Sequence, residues 1–205
     1  MIPRGIIIGG GEASRLGGGE KPLLMIEGVT LIERLIARVA PQTAALALNI
    51  RESSKPHYAT LAARGIDLLT DEFAGDVGPL GGVLAGLDWA AAAGDADWLA
   101  TFPADTPFLP RDLVARLMAK AETGKPVVTR AEGRLQPLCA IWPLSCRDAL
   151  RLGLEKGDYR GVGWTLHTFG AIECDFADGR SFFNINTQED HATARQLASA
   201  LDGDP

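Results

Sequence analysis

Short apolar runs in this chain alternate with amphipathic stretches, and the alternation predicts an α/β protein. Gly5 to Ile8 is a β-branched run that reads as a buried central strand. Leu23 to Ile26 reads as a short extended segment, closed by a turn at Glu27-Gly28. Leu31, Leu35, Ile36 and Val39 fall on one face of a helix from Leu31 to Ala40, capped by Thr30 and followed by Pro41. Ala44 to Ile50 is the second predicted strand, Lys55 to Arg64 a helix stopped by Gly65, and Asp67 to Thr70 the third strand. A loop from Glu72 to Gly78 leads into a helix opened by Pro79 and closed by Gly94. Trp98 to Phe102 is the fourth strand, and Pro110 opens a helix to Ala121. This β-α order implies parallel strands joined by right-handed crossovers.

The pattern then changes. Pro126 to Arg130 and Leu135 to Trp142 read as two strands joined at Glu132-Gly133, followed by a helix from Ser145 to Lys156. Residues 158–168 hold too many glycines to assign. Gly170 to Phe176 and Phe182 to Asn186 read as strands, and Thr187 with Asp190 has the spacing of a capping box for a last helix ending at Leu201. The expectation is one α/β domain over residues 1–205, a three-layer sandwich around a mostly parallel, doubly wound sheet with a mixed C-terminal part. The change of pattern divides it into residues 1–122 and 123–201.

The chemistry starts where the first strand ends. Residues 9–21, GGGEASRLGGGEK, are dense in glycine and close on a lysine. Glycines let consecutive N–H groups approach one anion, and Arg15 and Lys21 add positive charge at the carboxyl end of a strand, so the segment reads as a phosphate cradle. It is not a P-loop, because Lys21 follows Glu20 and precedes Pro22. It is not a dinucleotide fingerprint, because Ser14 stands where the third glycine belongs.

Other candidates lie at the same sheet edge. Asp105, in FPADTPFLP, is a candidate magnesium ligand, with turn capping as the alternative. Asn49 and Asp71 end the second and third strands. A carboxylate at Asp71 matches the N1–H and 2-amino donors of a guanine, and Asn49 suits a ribose hydroxyl or the base; either could instead serve loop backbone. Gly78, Gly81 and Gly82 would let backbone approach a ligand, or let a helix pack closely on a strand. Asn184 and Asn186 put polar groups at a strand end, though helix capping alone explains Asn186-Thr187. Arg160 lies in a glycine-rich stretch and could meet an acceptor phosphate.

These residues carry a resemblance. The pattern Gly10-Gly11-x-x-Ser14-Arg15-Leu16-Gly17, followed by Lys21, resembles the signature loop of nucleotidyltransferases, and most closely that of molybdenum cofactor guanylyltransferases. Ile8-Gly9-Gly10-Gly11 stands where that family has L-A-G-G, Gly78-Pro79-Leu80-Gly81-Gly82 matches G-P-L-x-G, and Phe183-Asn184-Ile185-Asn186-Thr187, with Phe182 before it, matches F-x-N-[IV]-N-T. The departures are Gly9 for alanine, Leu16 for methionine, Glu20 for aspartate and Gln188 for proline.

The resemblance implies GMP transfer from GTP to molybdopterin with Mg²⁺ and release of pyrophosphate. The implied nucleotide residues are Ile8, Gly9, Gly10, Gly11, Lys21, Asn49, Asp71 and Asp105. Lys21, Arg15 and Asp105 would be catalytic, Asp105 on the metal, and Gly82, Arg160, Asn184 and Asn186 on the acceptor. A molybdenum-cofactor carrier or acceptor enzyme is the implied protein partner. The same-class alternatives are cytidylyl transfer to the same pterin and nucleotidyl transfer to a sugar phosphate. The relative that uses CTP typically has L-A-A-G in the first loop, so Gly10 points to guanine. The different-class alternative is a non-catalytic nucleotide-binding protein, against which Lys21 and Asp105 both argue.

Composition narrows this further. With 205 residues, 46% of them hydrophobic, the chain can bury a substantial core. A net charge of −6 argues against a nucleic-acid binder. Arg15, Lys21, Arg130, Arg134 and Arg160 could still form a local patch for an anionic small substrate. Cys139, Cys146 and Cys174 are odd in number and lack a C-x-x-C, so buried thiols in a reducing cytoplasm are expected. His57, His167 and His191 have no metal spacing. No apolar run is long enough to cross a membrane or form a signal-peptide core, so a cytoplasmic location is expected.

Overall fold

β1 (Arg4–Ile8) sits inside the sheet and alternates faces, Ile6 and Ile8 toward one helical layer and Ile7 toward the other. The structure is a computed structural model that describes residues 2–9, 20–71, 77–159 and 161–201. After β1 come the hairpin β2 (Met25–Ile26) and β3 (Val29–Thr30), then α1 (Leu31–Val39), β4 (Leu46–Asn49), α2 (Ala59–Ala63) and β5 (Asp67–Leu69). The chain continues through α3 (Pro79–Ala93), β6 (Trp98–Pro103), α4 (Leu113–Met118), β7 (Val127–Ala131) and β8 (Arg134–Pro143). It ends with α5 (Arg147–Lys156), α6 (Val162–Thr168), β9 (Ile172–Phe176) and α7 (Gln188–Leu201).

Seven strands form one sheet in the order β5-β4-β1-β6-β8-β7-β9. All neighbouring pairs are parallel except those made by β8, which runs against β6 and β7. The sheet is therefore mostly parallel and doubly wound, with a mixed C-terminal part as expected. Helices α1, α2 and α4 cover one face. Helices α3, α5 and α6 cover the other. A third cluster joins Ile26, Leu31, Phe108 and Ile185 to Ala194, Ala198 and Leu201 of α7. Two buried arginines of α1 fasten this outer piece: the Arg34 guanidinium donates to the Ile26 carbonyl at 2.7 Å, and that of Arg38 to the Leu201 carbonyl at 2.6 Å. No helix among the described residues is long and apolar enough to cross a membrane.

The helix that Thr30 starts carries a full capping box with Glu33, and Asp190 does the same work for α7 with Thr187. Other boundaries move. The segment after β4 begins as a 3₁₀ turn over Glu52–Tyr58 and becomes α-helical only at Ala59, since Pro56 supplies no N–H. The Pro110 helix is shorter than its pattern, running from Leu113 to Met118. Residues 162–168, left open by their glycines, form α6 behind Gly161. The expected strand at Phe182–Asn186 is absent: Arg180–Phe182 is a 3₁₀ turn, and the alternating Phe183–Asn186 run meets loop backbone at Asp105, not a strand edge. The β7–β8 register jumps from Val128↔Ala140 to Thr129↔Gln136, so Pro137, Leu138 and Cys139 form a bulge without partners in β7, where a proline's missing N–H costs the ladder nothing.

Candidate active site

Parallel strands deliver their carboxyl ends to one edge, and this chain places its polar residues there. Ile8 and Asn49 are the last residues of β1 and β4, while Asp71 and Asp105 lie two residues past the ends of β5 and β6. Between them is a cavity of about 620 Å³ lined by Ile8, Asn49, Arg51, Asp71, Asp105 and Leu138, among others. A smaller cavity of about 160 Å³ shares Ile8 and Asp105 and adds Gly9, Lys21, Pro22 and Asn186. The larger volume lies in the range of small-molecule sites.

Asn49 and Asp71 form a unit. The buried Asn49 amide donates to Asp71 Oδ1 at 2.7 Å. Helix α3 passes close enough to fix both. A Cβ on Gly82 would lie 2.5 Å from Asn49 Oδ1, and one on Gly81 would lie 2.8 Å from Asp71 Oδ2. The two glycines thus perform close packing, and what they pack against is the site itself. Gly82→Ala is expected to displace the Asn49 amide and weaken GTP binding about tenfold. Thermal stability should change little, because the helix-propensity gain of up to about 1 kcal/mol offsets part of the overpacking. Calorimetric titration with GTP checks this, and wild-type affinity would show that Asn49 does not matter for the ligand.

Lys21 anchors the second cluster. Its side chain is buried, and its ammonium donates to Asp105 Oδ2 at 2.7 Å and to Asn186 Oδ1 at 2.6 Å. These partners lie 84 and 165 positions away in sequence. The run around Asn186 is fixed in turn: the Ile185 N–H donates to the Asp105 carbonyl at 3.0 Å, and Ile185 is fully buried. Asp190 accepts from the N–H groups of Asn186 and Thr187, and these bonds, with the Asn186 N–H first, hold its carboxyl below the usual range. Asn186 thus faces Lys21, and Asn184 on the same run is exposed. Gly9 opens the glycine-rich segment with its N–H on the Asn49 carbonyl at 2.9 Å. Gly10, Gly11, Arg15 and Arg160 lie outside the described residues.

Other expected groups are elsewhere. His57 and His167 are exposed, and the His191 ring lies 2.9 Å from the Met25 carbonyl. Arg130 pairs with Glu173 at 2.8 Å. The three cysteines are buried and free, and desolvation pushes their thiols up, Cys146 to about 11. Sequence reasoning missed Arg51 and Leu138 in the cavity wall. Arg51 had a signal, since it stands two residues beyond Asn49 on the same outgoing chain; Leu138 had none, because the bulge that brings it there is not visible in the sequence.

A mostly parallel sheet with a glycine-rich sequence after β1, a cavity of small-molecule size at its carboxyl edge and a lysine–carboxylate cluster beside it defines a small-molecule-binding α/β protein. Residues 5–166 match the MobA-like NTP transferase domain, and the chain belongs to that family of nucleotidyltransferases. A molybdenum cofactor guanylyltransferase of Cereibacter sphaeroides is 42% identical over 193 residues, covering 94% of this chain and 95% of the relative. One from Mesorhizobium japonicum is 37% identical over 204 residues, covering 96% of each. The crystal structure of molybdopterin-guanine dinucleotide biosynthesis protein A from Archaeoglobus fulgidus superposes with a TM-score of 0.77 at 22% identity, over 96% of this chain and 99% of that one. The last comparison speaks for the fold.

Proposed function

We propose that this protein transfers GMP from GTP to molybdopterin, forming the guanine dinucleotide form and releasing pyrophosphate. The observation that carries the reading is the end-to-end similarity to guanylyltransferases of the molybdenum cofactor, which spans both the Asn49–Asp71 end and the Lys21–Asp105–Asn186 end of the crevice. Asp71, with Asn49 holding one of its oxygens, accepts from the guanine N1–H and 2-amino group. Lys21 neutralises the triphosphate. Residues 1–122 act on the nucleotide. Residues 123–201 act on the acceptor, with Asn184, Asn186 and Arg160 as contacts, while Gly82, expected on the acceptor, packs against Asn49 and acts with the nucleotide part.

Asp105 is the carboxylate common to both cavities. That carboxylate fits Mg²⁺, which commonly takes one or two carboxylates and draws its other ligands from water and substrate phosphates. When bound it supplies charge neutralisation on the phosphates. The chain's own part is positioning: Lys21 and loop N–H groups reduce repulsion between two phosphates and hold the acceptor in line. The acceptor phosphate has a second pKa of about 6, so near neutrality it is already a competent nucleophile and needs no protein base.

The test is incubation with each nucleoside triphosphate, Mg²⁺ and molybdopterin, reading pyrophosphate and product. GTP should exceed CTP at least about tenfold in kcat/KM, and Asp71→Asn should narrow that ratio by turning one acceptor into a donor. Equal use of CTP would remove the guanylyl assignment, and no pyrophosphate with any triphosphate would remove the transferase reading.

A further inference from the structure

We infer that Glu20 is a positioning residue for Lys21, gripped by the hydroxyls of Ser54 and Tyr58 so that the end of the glycine-rich segment is clamped to the chain leaving β4. The inference rests on Lys21 binding the triphosphate. Glu20 ends the glycine-rich run and directly precedes Lys21. Ser54 Oγ donates to Glu20 Oε1, and the Tyr58 hydroxyl donates to Glu20 Oε2 at 3.2 Å. Ser54 is 5% exposed and Tyr58 fully buried. A buried hydroxyl without a partner is costly, so two of them aimed at one carboxylate mark a fixed position and not a passing surface contact. Burial, and then the nearby Glu20 charge, push the Tyr58 ionisation up, which keeps the phenol a donor at working pH.

The clamp joins two parts of the crevice. Ser54 and Tyr58 belong to the 3₁₀ segment Glu52–Tyr58, whose first residue lines the large cavity just after Asn49, Ile50 and Arg51. On the other side, the Leu23 N–H donates to the Glu20 carbonyl at 3.0 Å and the Leu24 N–H to the Lys21 carbonyl at 3.1 Å. Lys21 is thus held at its backbone by a turn that Glu20 opens, and at its ammonium by Asp105 and Asn186. A lysine on a flexible four-carbon stem is a point charge whose worth depends on where it is held. Releasing Glu20 leaves the charge in place and loosens its position.

Ser54→Ala/Tyr58→Phe removes only the two hydroxyls and keeps the buried ring. In titrations with Mg²⁺, it should weaken GTP about tenfold and guanosine less than about twofold, since guanosine has nothing for Lys21 to hold. In a Lys21→Ala background the same double change should cost GTP less than about twofold, because the group it positions is gone. Glu20→Gln, isosteric and tolerant of folding, should give the same pattern at about threefold. Equal losses for GTP and guanosine, or equal losses with and without Lys21, would overturn the inference and leave the role of Lys21 intact. Wild-type GTP affinity in Lys21→Ala alone would instead remove the phosphate role of Lys21, and the inference with it.

Discussion

Asp105→Ala is expected to lower kcat by about two orders of magnitude or more, with a smaller effect on folding. Asp105 holds the ammonium of Lys21 at 2.7 Å, and its side chain is 24% exposed, so it is reachable by a ligand from the crevice. On the proposed reading, the phosphates of GTP and acceptor bring several negative charges to this edge, and Asp105 is the carboxylate that would hold the metal between them. The stability cost is limited because Lys21 keeps Asn186 as a partner. Partial exposure brings it down to about 2 kcal/mol from the range of a fully buried broken pair. Asp105→Asn separates the two roles, since it keeps the shape and an acceptor for Lys21 but lacks the charge. If Asp105 merely capped a turn, the asparagine would work nearly as well. Pyrophosphate release at saturating GTP, read with thermal melting of both variants, decides this. Near wild-type turnover in Asp105→Asn would take the metal away from this position.

The carboxyl edge of the sheet was largely legible, for a physical reason. In a parallel sheet the strand pattern fixes which residues reach the carboxyl edge, so recognising the runs ending at Ile8, Asn49 and Asp71 was enough to bring them together. Gly81 and Gly82 were legible as close-packing residues but not in what they pack against, because the identity of the neighbour depends on how α3 lies across β4 and β5. The contacts of Lys21 were not legible. Its partners come from residues 105 and 186, and nothing local in either stretch reports the other. The run Phe183–Asn186 misled in its secondary structure, since its alternation reflects Ile185 buried under α7 and not membership of a sheet. Its polar positions were still noticed, and one of them proved to touch Lys21.

The largest effect on the substrate side is expected from Lys21→Ala, which should raise KM for GTP and lower kcat by about two to three orders of magnitude. Lys21 lines a cavity of about 160 Å³ together with Gly9, where the glycine-rich segment begins. Its ammonium is held between the side-chain oxygens of Asp105 and Asn186 at 2.7 and 2.6 Å, at the carboxyl edge of the sheet. Preorganised charge of this kind stabilises the transition state without reorganising when the reaction occurs. Lys21→Arg should fail to rescue, because a planar guanidinium is larger than an ammonium and cannot occupy the same buried point between Asp105 and Asn186. Asn186→Ala should fall between, losing about five- to tenfold in kcat/KM, since it removes one of two holds and leaves the charge. The order Lys21→Ala, Lys21→Arg, Asn186→Ala, from most to least damaged, follows from charge and position together. If Asn186→Ala instead left GTP kinetics untouched and raised only KM for the acceptor, Asn186 would serve the acceptor only, and Lys21 would be held by Asp105 alone.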